Sequence, residues 1–397
     1  MTVIEVPPDS LFGLDNLPYG VFSPPRGAPR VGVRLSETVV DLSVLLGDEF
    51  GPGLFTSTSL NAFMATGRQR WIDVRSTLRE RLTGDVPNSA VHALDTVRMH
   101  LPIDVADYVD FYASEHHASN LGRLFRPESP EPLLPNWRHL PVGYHGRAGT
   151  VVVSGSDVVR PHGQRKAPSE SSPTFGPSIR LDIEAELGFV VGHGSALGVP
   201  VPVDEAENHL FGAVLLNDWS ARDIQAWEYV PLGPHLGKSF ASSISAWVVP
   251  MLALQAAKVE LPRHDPQVLD YLRMSRPWGL DVDLAVEWNG QVISRPPYRT
   301  MYWSPAQMLA HQCANGASCR TGDLLGSGTV SGPRRREWGA LIELTWNGTD
   351  PLLVDGRVST FLLDGDRISI TASAPGPGAQ RIGFGEVVGR IVPAPAG

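Results

Sequence analysis

Acidic side chains recur at every second position in residues 179–191, where Asp182, Glu184 and Glu186 alternate with apolar residues. A period of two predicts a β-strand with the three carboxylates on one face. Carboxylates lined up in this way repel one another. The face is therefore either a solvated surface, with Arg180 relieving the charge, or a site for a divalent cation such as Mg²⁺ or Ca²⁺.

A further acidic position follows a run that is typical of a buried strand. Residues 211–216 are apolar, and Asn217 and Asp218 end the run. Asp218 is either the N-cap of the next helix or another carboxylate at the end of a buried strand. The sequence WSARDIQAWEY predicts that helix, and Lys238 follows it in a glycine-rich turn. Spacings of three and four residues place polar side chains on one helix face: Arg222, Gln225 and Tyr229.

Two adjacent histidines, His116 and His117, lie in DFYASEHHASN (residues 110–120), where a helix is predicted to begin. Adjacent helical side chains point about 100° apart, so at most one histidine faces a given site. Each is either a surface histidine or a candidate general base.

Two later segments add an anion-binding candidate and a single acid among apolar residues. The glycine-rich passage GDLLGSGTVSG (residues 322–332) could hold an anion through its backbone N–H groups and Thr329. The passage fits neither the phosphate-loop nor the dinucleotide pattern, so no nucleotide site is predicted. The sequence ALIELTW predicts a strand whose one acid, Glu343, must be either paired or functional.

The elements that must position these residues are short. Proline (35) and glycine (40) are frequent in the 397 residues, which predicts many turns, few long helices and a β-rich fold. Residues 29–33 and 38–42 are typical of strands, whereas residues 60–82 are typical of a helix. We therefore expect a small N-terminal domain, residues 1–102, and a large, mostly β C-terminal domain, residues 103–397.

The composition excludes several classes of partner. A formal net charge of -9 gives the chain no general attraction for nucleic acid or for anionic membranes. The most apolar long stretch is interrupted by Pro250 and is too short to span a bilayer. The start, MTVIEVPPDSLFG, has no signal-peptide pattern, so we expect a cytoplasmic location. A disulfide between Cys313 and Cys319 is conceivable, but we interpret both as buried or idle thiols.

Five segments together closely resemble the fumarylacetoacetate hydrolase family in its full-length, two-domain form: DFYASEHHASN, LLPNWRHLPVGYHGR, NDWSARDIQAWEYVPLGPHLGKSF, GDLLGSGTVSG and FLLDGD. The similarity runs from NLPYGVF (residues 16–22) to GFGEVVG near the C-terminus, so it covers nearly the whole chain. It implies a mostly β (α+β) fold, with a small N-terminal SH3-like barrel and a large C-terminal mixed β-sandwich roll. It also implies a homodimer.

The resemblance assigns a role to each matching residue. His117 corresponds to the general base and Glu343 to its carboxylate partner, and Asp182 lies outside the set of metal ligands. Replacing Asp182 should therefore matter less than replacing a ligand. The implied ligands are Asp110, Glu184, Glu186 and Asp218. The groups around the oxyanion and the leaving carbanion are Arg222, Gln225 and Lys238.

Two further sets follow from the same matches. Lys238 and Ser242 border a second position for magnesium, and Ser242 stands where the family has threonine. The implied substrate contacts are Tyr112, Arg126, Arg222, Gln225, Tyr229 and Thr329.

The implied activity is metal-dependent hydrolysis of a carbon–carbon bond in a small diketo acid. The family's substrate is 4-fumarylacetoacetate, which gives fumarate and acetoacetate in the last step of tyrosine and phenylalanine catabolism. Mg²⁺ and/or Ca²⁺ is the implied cofactor, with Mn²⁺ possible. Acylpyruvate hydrolysis, decarboxylation or isomerisation on the same site, and non-catalytic metabolite binding, are the alternatives. The presence of both His117 and Glu343 favours hydrolysis.

Overall fold

The computed structural model describes residues 1–396, and the mostly β prediction is confirmed by the strands that it contains. Residue 397, the last of the predicted C-terminal domain, lies outside the described residues. The elements of the N-terminal region are β1 (Tyr19–Ser23), β2 (Arg30–Leu35), β3 (Thr38–Asp41), α1 (Leu42–Leu45), α2 (Asn61–Met64), α3 (Arg68–Arg81), β4 (Val91–Ala93) and β5 (Arg98–His100).

The middle of the chain carries most of the strands that surround the site. They and their helices are β6 (Tyr108–Phe111), α4 (Glu115–Phe125), β7 (Gly143–His145), β8 (Val151–Val153), β9 (Asp157–Val159), β10 (His162–Arg165), β11 (Thr174–Pro177), β12 (Leu181–Asp182), β13 (Ala185–Val191), α5 (Ala206–His209), β14 (Leu210–Asp218), β15 (Ser220–Ala221), α6 (Arg222–Glu228), β16 (Ser242–Ile244) and β17 (Trp247–Pro250).

The remaining elements include most strands of a second sheet, together with further short strands and two helices. They are β18 (Lys258–Val259), β19 (Gly279–Leu280), β20 (Asp283–Trp288), β21 (Gln291–Ser294), α7 (Pro305–Cys313), β22 (Leu324–Gly326), α8 (Leu341–Leu344), β23 (Leu352–Val354), β24 (Arg357–Ser359), β25 (Arg367–Pro375), β26 (Arg381–Gly383) and β27 (Val387–Val392).

A 13-stranded mixed sheet runs through both predicted domains in the order β4-β3-β2-β1-β17-β14-β13-β22-β6-β7, with β5, β8 and β16 attached. Strand β1 joins the regions, because Tyr19 pairs with Val248 and Gly20 with Trp247. Among residues 1–396 the sheets stay open, and the N-terminal strands do not close into a barrel. The domain boundary after residue 102 remains a prediction.

A six-stranded sheet, β21-β20-β25-β27-β9 with β26 attached, is the second large sheet. Its buried side chains pack with those of β13 and β14 in one core, which includes Trp219, Trp288 and Trp303. Strand β14 is buried at all nine positions, which explains its continuous apolar sequence. A second core fills the space between the N-terminal strands, α3 and the opposite face of the large sheet. Within residues 1–396, no helix combines the length and apolar composition needed to cross a bilayer.

Three local predictions differ from the structure. Residues 179–191 are not one strand: Asp182 accepts the backbone N–H of Ile183, and Glu184 donates its own to the Asn217 side chain, which interrupts the ladder. All three acids there are buried, so the solvated-surface interpretation is wrong.

Glu343 lies on the short helix α8, not on a strand. The Asp182 carboxylate accepts the first N–H groups of this helix, a distant contact that the local pattern does not contain. The helix expected at residues 60–82 is broken at Gly67, whose φ is +87°, into α2 and α3. Both cysteines are free and buried thiols.

Candidate active site

Four carboxylates meet where neighbouring strands of the large sheet end. Asp110 lies on β6, Glu186 near the start of β13, and Asp218 at the end of β14, while Glu184 directly precedes β13. Strand β22 lies between β13 and β6 and places Gly326 opposite Asp110. One oxygen from each of the four carboxylates lies within 4.8 Å of the others, and all four residues are buried. These are the four residues that the family resemblance implied as metal ligands.

The cluster has the properties of a divalent-cation site. Asp110 Oδ1 and Glu186 Oε1 are buried and have no hydrogen-bond partner among the described residues. A side chain at Gly326 would fill the space between them, because its Cβ would lie 3.1 Å from Asp110 Oδ1 and 3.2 Å from Glu186 Oε2. Buried carboxylates without partners are costly, and a hard cation with oxygen ligands removes that cost. The residues therefore fit a divalent metal ion.

The four carboxylates differ in their ionisation. Burial raises the pKa of Asp110 well above its ordinary value, and the charge of Asp218 raises it further. Burial and the charge of Asp110 likewise raise the pKa of Glu186. Burial also opposes ionisation of Glu184, but the charges of Lys238 and Arg222 outweigh it and lower the pKa. Glu184 is therefore the carboxylate that remains ionised most readily.

Lys238 bridges two of the acids on one side of the cluster. Its Nζ lies 2.5 Å from Glu184 Oε2 and 2.6 Å from Asp218 Oδ2. Burial opposes its charge, yet these carboxylates raise the pKa of Lys238, so it is a cation at neutral pH. Ser242 Oγ donates to Asp218 Oδ1 at 2.8 Å.

The guanidinium of Arg222, at the start of α6, donates to three protein side chains. Nε donates to Asp182 Oδ2 and Nη2 to Glu184 Oε1, each at 2.7 Å, and Nη1 donates to Gln225 Oε1 at 2.9 Å. These contacts fix the side-chain positions of Gln225 and Glu184. Each guanidinium nitrogen thus donates to one protein acceptor.

His117 faces the cluster with one nitrogen and Glu343 with the other. Ser114 caps α4 and accepts the backbone N–H of His117, which sets the ring in the first turn. Nδ1 lies 2.7 Å from Glu343 Oε2, and Nε2 lies 3.8 Å from Glu184 Oε1. An ionised carboxylate only accepts, so Nδ1 carries the proton and Nε2 is the basic nitrogen. His116 is only partly buried.

A cavity of about 310 Å³ opens onto the cluster and onto His117. Thr329 Oγ1 is buried without a partner among the described residues. The Tyr112 ring packs edge-on against the His117 ring, with 5.4 Å between the centroids. Arg222 is not among the described residues that line the cavity, although it was predicted to contact substrate. The other predicted contacts line it: Tyr112, Arg126, Gln225, Tyr229 and Thr329.

Several polar residues at the site were missed by the sequence interpretation. Asn120 Nδ2 and Ser331 Oγ each donate to the Glu343 carboxylate at 2.8 Å, so three groups hold it in place. Asn120 lies three residues after His117, a helical spacing that could have indicated it. The Tyr144 hydroxyl donates to Asp218 Oδ2 at 3.4 Å, and no local signal distinguished it.

Two family models match the chain. The one described as fumarylacetoacetase N-terminal matches residues 15–102, and the one described as fumarylacetoacetate (FAA) hydrolase C-terminal matches residues 107–392. The fumarylacetoacetase of Rattus norvegicus is 45% identical over 417 residues and covers 99% of each chain. That of Arabidopsis thaliana is 44% identical over 416 residues, covering 99% of this chain and 98% of the plant chain.

Solved structures share the fold at lower identity. The fumarylacetoacetate hydrolase of Exiguobacterium antarcticum has a TM-score of 0.57 at 17% identity, covering 95% of this chain and 99% of that chain. The maleylpyruvate hydrolase of Sphingobium sp., in complex with manganese(II) and pyruvate, has a TM-score of 0.54 at 15% identity. It covers 96% of this chain and 100% of that chain.

Proposed function

The chain belongs to the fumarylacetoacetate hydrolase family, and we propose that it hydrolyses 4-fumarylacetoacetate to fumarate and acetoacetate. One observation carries the proposal. The buried four-carboxylate cluster and the His117–Glu343 pair open into the same cavity. A cation site beside an oriented base is what hydrolysis of a chelating diketone requires.

The base removes a proton from water. His117 Nε2 takes that proton while the water oxygen bonds to the substrate carbonyl carbon. The Nδ1–H bond to Glu343 fixes the tautomer and stabilises the imidazolium that forms. Asn120 and Ser331 also donate to the Glu343 carboxylate and hold it beside His117.

Bond cleavage then separates the two products. The carbon–carbon bond breaks, its electron pair goes to the acetoacetate carbon, and the His117 imidazolium returns its proton to that carbon, which completes the products and restores the base. A divalent cation held by Asp110, Glu184, Glu186 and Asp218 would supply Lewis acidity to this step. Lys238 and Gln225, which line the cavity beside it, supply a positive charge and an amide to the developing oxyanion.

The remaining lining residues suit the substrate's two carboxylate ends. Arg126 offers a guanidinium, while Tyr112, Tyr229 and Thr329 offer hydroxyl groups toward the cavity. Arg222 acts at one remove, by positioning Glu184 and Gln225.

The all-oxygen ligand set favours Mg²⁺ or Ca²⁺ as the resident cation, with Mn²⁺ as a further possibility. Two additional proposals are a homodimeric assembly, which rests on the family resemblance, and the cytoplasmic location expected from the sequence.

A substrate panel with purified protein tests the function. Fumarylacetoacetate and acylpyruvates are supplied with Mg²⁺ or Ca²⁺, and the products are identified by NMR. We expect fumarate and acetoacetate with the highest kcat/KM, loss of activity after chelation, and recovery when cation returns. Preference for an acylpyruvate, decarboxylated or isomerised products, or full activity in protein shown by elemental analysis to be metal-free would refute the proposal.

A further inference from the structure

Asp182 is a fully buried carboxylate that lies outside both the metal cluster and the substrate cavity. Each of its oxygens accepts two hydrogen bonds. Oδ1 accepts from the backbone N–H of Ile183 at 2.7 Å and of Leu341 at 2.6 Å. Oδ2 accepts from Arg222 Nε at 2.7 Å and from the backbone N–H of Ile342 at 3.0 Å. Its acceptor capacity is therefore almost filled.

These bonds join two parts of the site that are distant in sequence. On one side, Arg222 passes the contact to Glu184 and Gln225. On the other side, Leu341 and Ile342 begin the helix that carries Glu343, the partner of His117. Neutralising Arg222 alone would not require the two bonds to α8.

Helix α8 is too short to fix its own position. It has four residues and no side-chain cap from the residue that precedes it. The free N–H groups in the first turn of a helix need acceptors, and a carboxylate is the strongest available acceptor there. Asp182, on strand β12, supplies that acceptor, so the position of Glu343 depends on Asp182.

We propose that Asp182 is a positioning residue. It fixes the position of α8 relative to Arg222, so that Glu343 holds the His117 ring facing the metal cluster. The proposal rests on the hydrolysis proposed above. It goes beyond the expectation, drawn from the family resemblance, that replacing Asp182 matters less than replacing a metal ligand.

The variant Asp182→Asn isolates this role. It keeps the volume of the side chain, but one oxygen becomes an NH₂ that faces N–H donors and cannot accept from them. We expect kcat to fall by about 10- to 100-fold, with KM within about threefold, because Asp182 does not touch the cavity. Asp182→Glu, which keeps the charge, should recover part of the lost kcat.

Asp366 provides a matched control. It is buried, pairs with Arg357 through both oxygens, and also accepts from Asn289 and from the backbone N–H of Leu363. Asp366→Asn should lower thermal stability to a similar extent while leaving kcat within twofold. Equal losses of kcat in the two Asn variants would overturn the proposal, because they would reflect stability alone.

A second readout does not depend on turnover. Hydrogen exchange measured by mass spectrometry should show faster exchange in the peptide containing Leu341 and Ile342 in Asp182→Asn, but not in Asp366→Asn. Unchanged exchange with kcat near the wild-type value would overturn the proposal, as would failure of both Asp182 variants to fold. Wild-type protein inactive on fumarylacetoacetate would instead refute the proposed function, and the exchange result would still decide whether Asp182 holds α8.

Discussion

At the residue scale, the four carboxylates of the cluster divide into one whose pKa is lowered and three whose pKa is raised. Glu184 contacts Lys238 and Arg222, and these charges lower its pKa despite burial. Burial raises the pKa values of Asp110, Glu186 and Asp218. Without a cation these three groups tend to hold protons, so cations and protons compete for the same oxygens.

That competition gives a prediction for pH. Above the ordinary carboxyl pKa of about 4, the unfolded chain has released these protons while the folded metal-free protein still holds them. The free energy of unfolding of the metal-free protein therefore falls as pH rises from about 4 toward the raised pKa values of the folded state. Cation binding removes the penalty, so stabilisation by Mg²⁺ or Ca²⁺ should grow with pH. Thermal midpoints of chelated and cation-loaded protein from pH 5.5 to 8.5 measure it. A gain that is constant across this range would contradict the assignment, and Asp110→Asn should flatten the dependence.

The two histidines should differ sharply in consequence. His117→Ala should lower kcat by about 10²–10⁴, the usual effect of losing a general base. His116→Ala should change it by less than about tenfold, because this side chain is partly exposed and diverges from the cluster. Steady-state kinetics of the two variants decide between them. A larger loss of kcat in His116→Ala than in His117→Ala would show that His117 is not the base.

The His117–Glu343 pair should behave as one unit. Glu343→Gln keeps the shape but loses the charge that stabilises the imidazolium, so kcat should fall much more than KM changes. In a double-mutant cycle, His117→Ala with Glu343→Gln should be scarcely worse than the more damaging single variant. Losses that multiply in the double variant would show that the residues act independently.

At the element scale, the turn after β22 contacts the carboxylate cluster through its backbone. Gly328 has a φ of +73° and donates its N–H to Glu186 Oε2 at 2.9 Å. A Cβ there would lie 2.2 Å from the carbonyl oxygen of Phe111. The glycine-rich passage was a candidate for holding an anion, and the group that its backbone N–H contacts is the carboxyl group of Glu186.

Gly328→Ala should therefore displace the turn and weaken cation binding. Gly378, with a φ of +66° and nothing within 4 Å of an added Cβ, is the matched control. Gly378→Ala should cost only the left-handed backbone strain of about 1 kcal/mol. Urea midpoints and Mg²⁺ titrations of both variants measure the difference. Equal destabilisation, with cation affinity unchanged in Gly328→Ala, would contradict the proposed contact.

Elements with local signals could be predicted from sequence, and elements set by distant contacts could not. The apolar run of β14 and the Ser114 cap before α4 are local, and both elements form as expected. The break at Ile183 and the helix at Glu343 depend on Asp182, which lies 159 residues before Leu341. The same applies to the site: local patterns left Asp218 open between cap and ligand, and the contacts that distinguish these roles are long-range.

At the scale of the whole molecule, one sheet crosses the boundary between the two family-model regions. The aromatic side chains of Tyr19, Phe63, Trp71 and Phe211 pack together across it, with Trp71 and Phe211 centroids 5.2 Å apart. Neither region can separate from the other without exposing this core. The chain should consequently unfold in one cooperative transition.

Calorimetry of the variant Gly20→Val, which alters the pairing of β1 with β17, tests this prediction. A Cβ at Gly20 would lie 2.8 Å from both the carbonyl oxygen of Ala246 and the Trp247 ring, so the variant should melt earlier but still in a single transition. Gly149→Ala, with nothing within 4 Å, serves as the control. Two resolved transitions, in wild type or in Gly20→Val, would show that the regions unfold separately.

The pairing of β1 with β17 also constrains how the protein is made. Residues 19 and 20 are synthesised more than two hundred residues before their partners at 247 and 248. At about 5–20 residues per second, this strand waits on the order of tens of seconds with one edge partly unpaired. An open, apolar strand edge is a template for pairing with another chain. Nascent chains of this protein should therefore depend on chaperones until β17 emerges, and slower synthesis should lower the yield of folded enzyme.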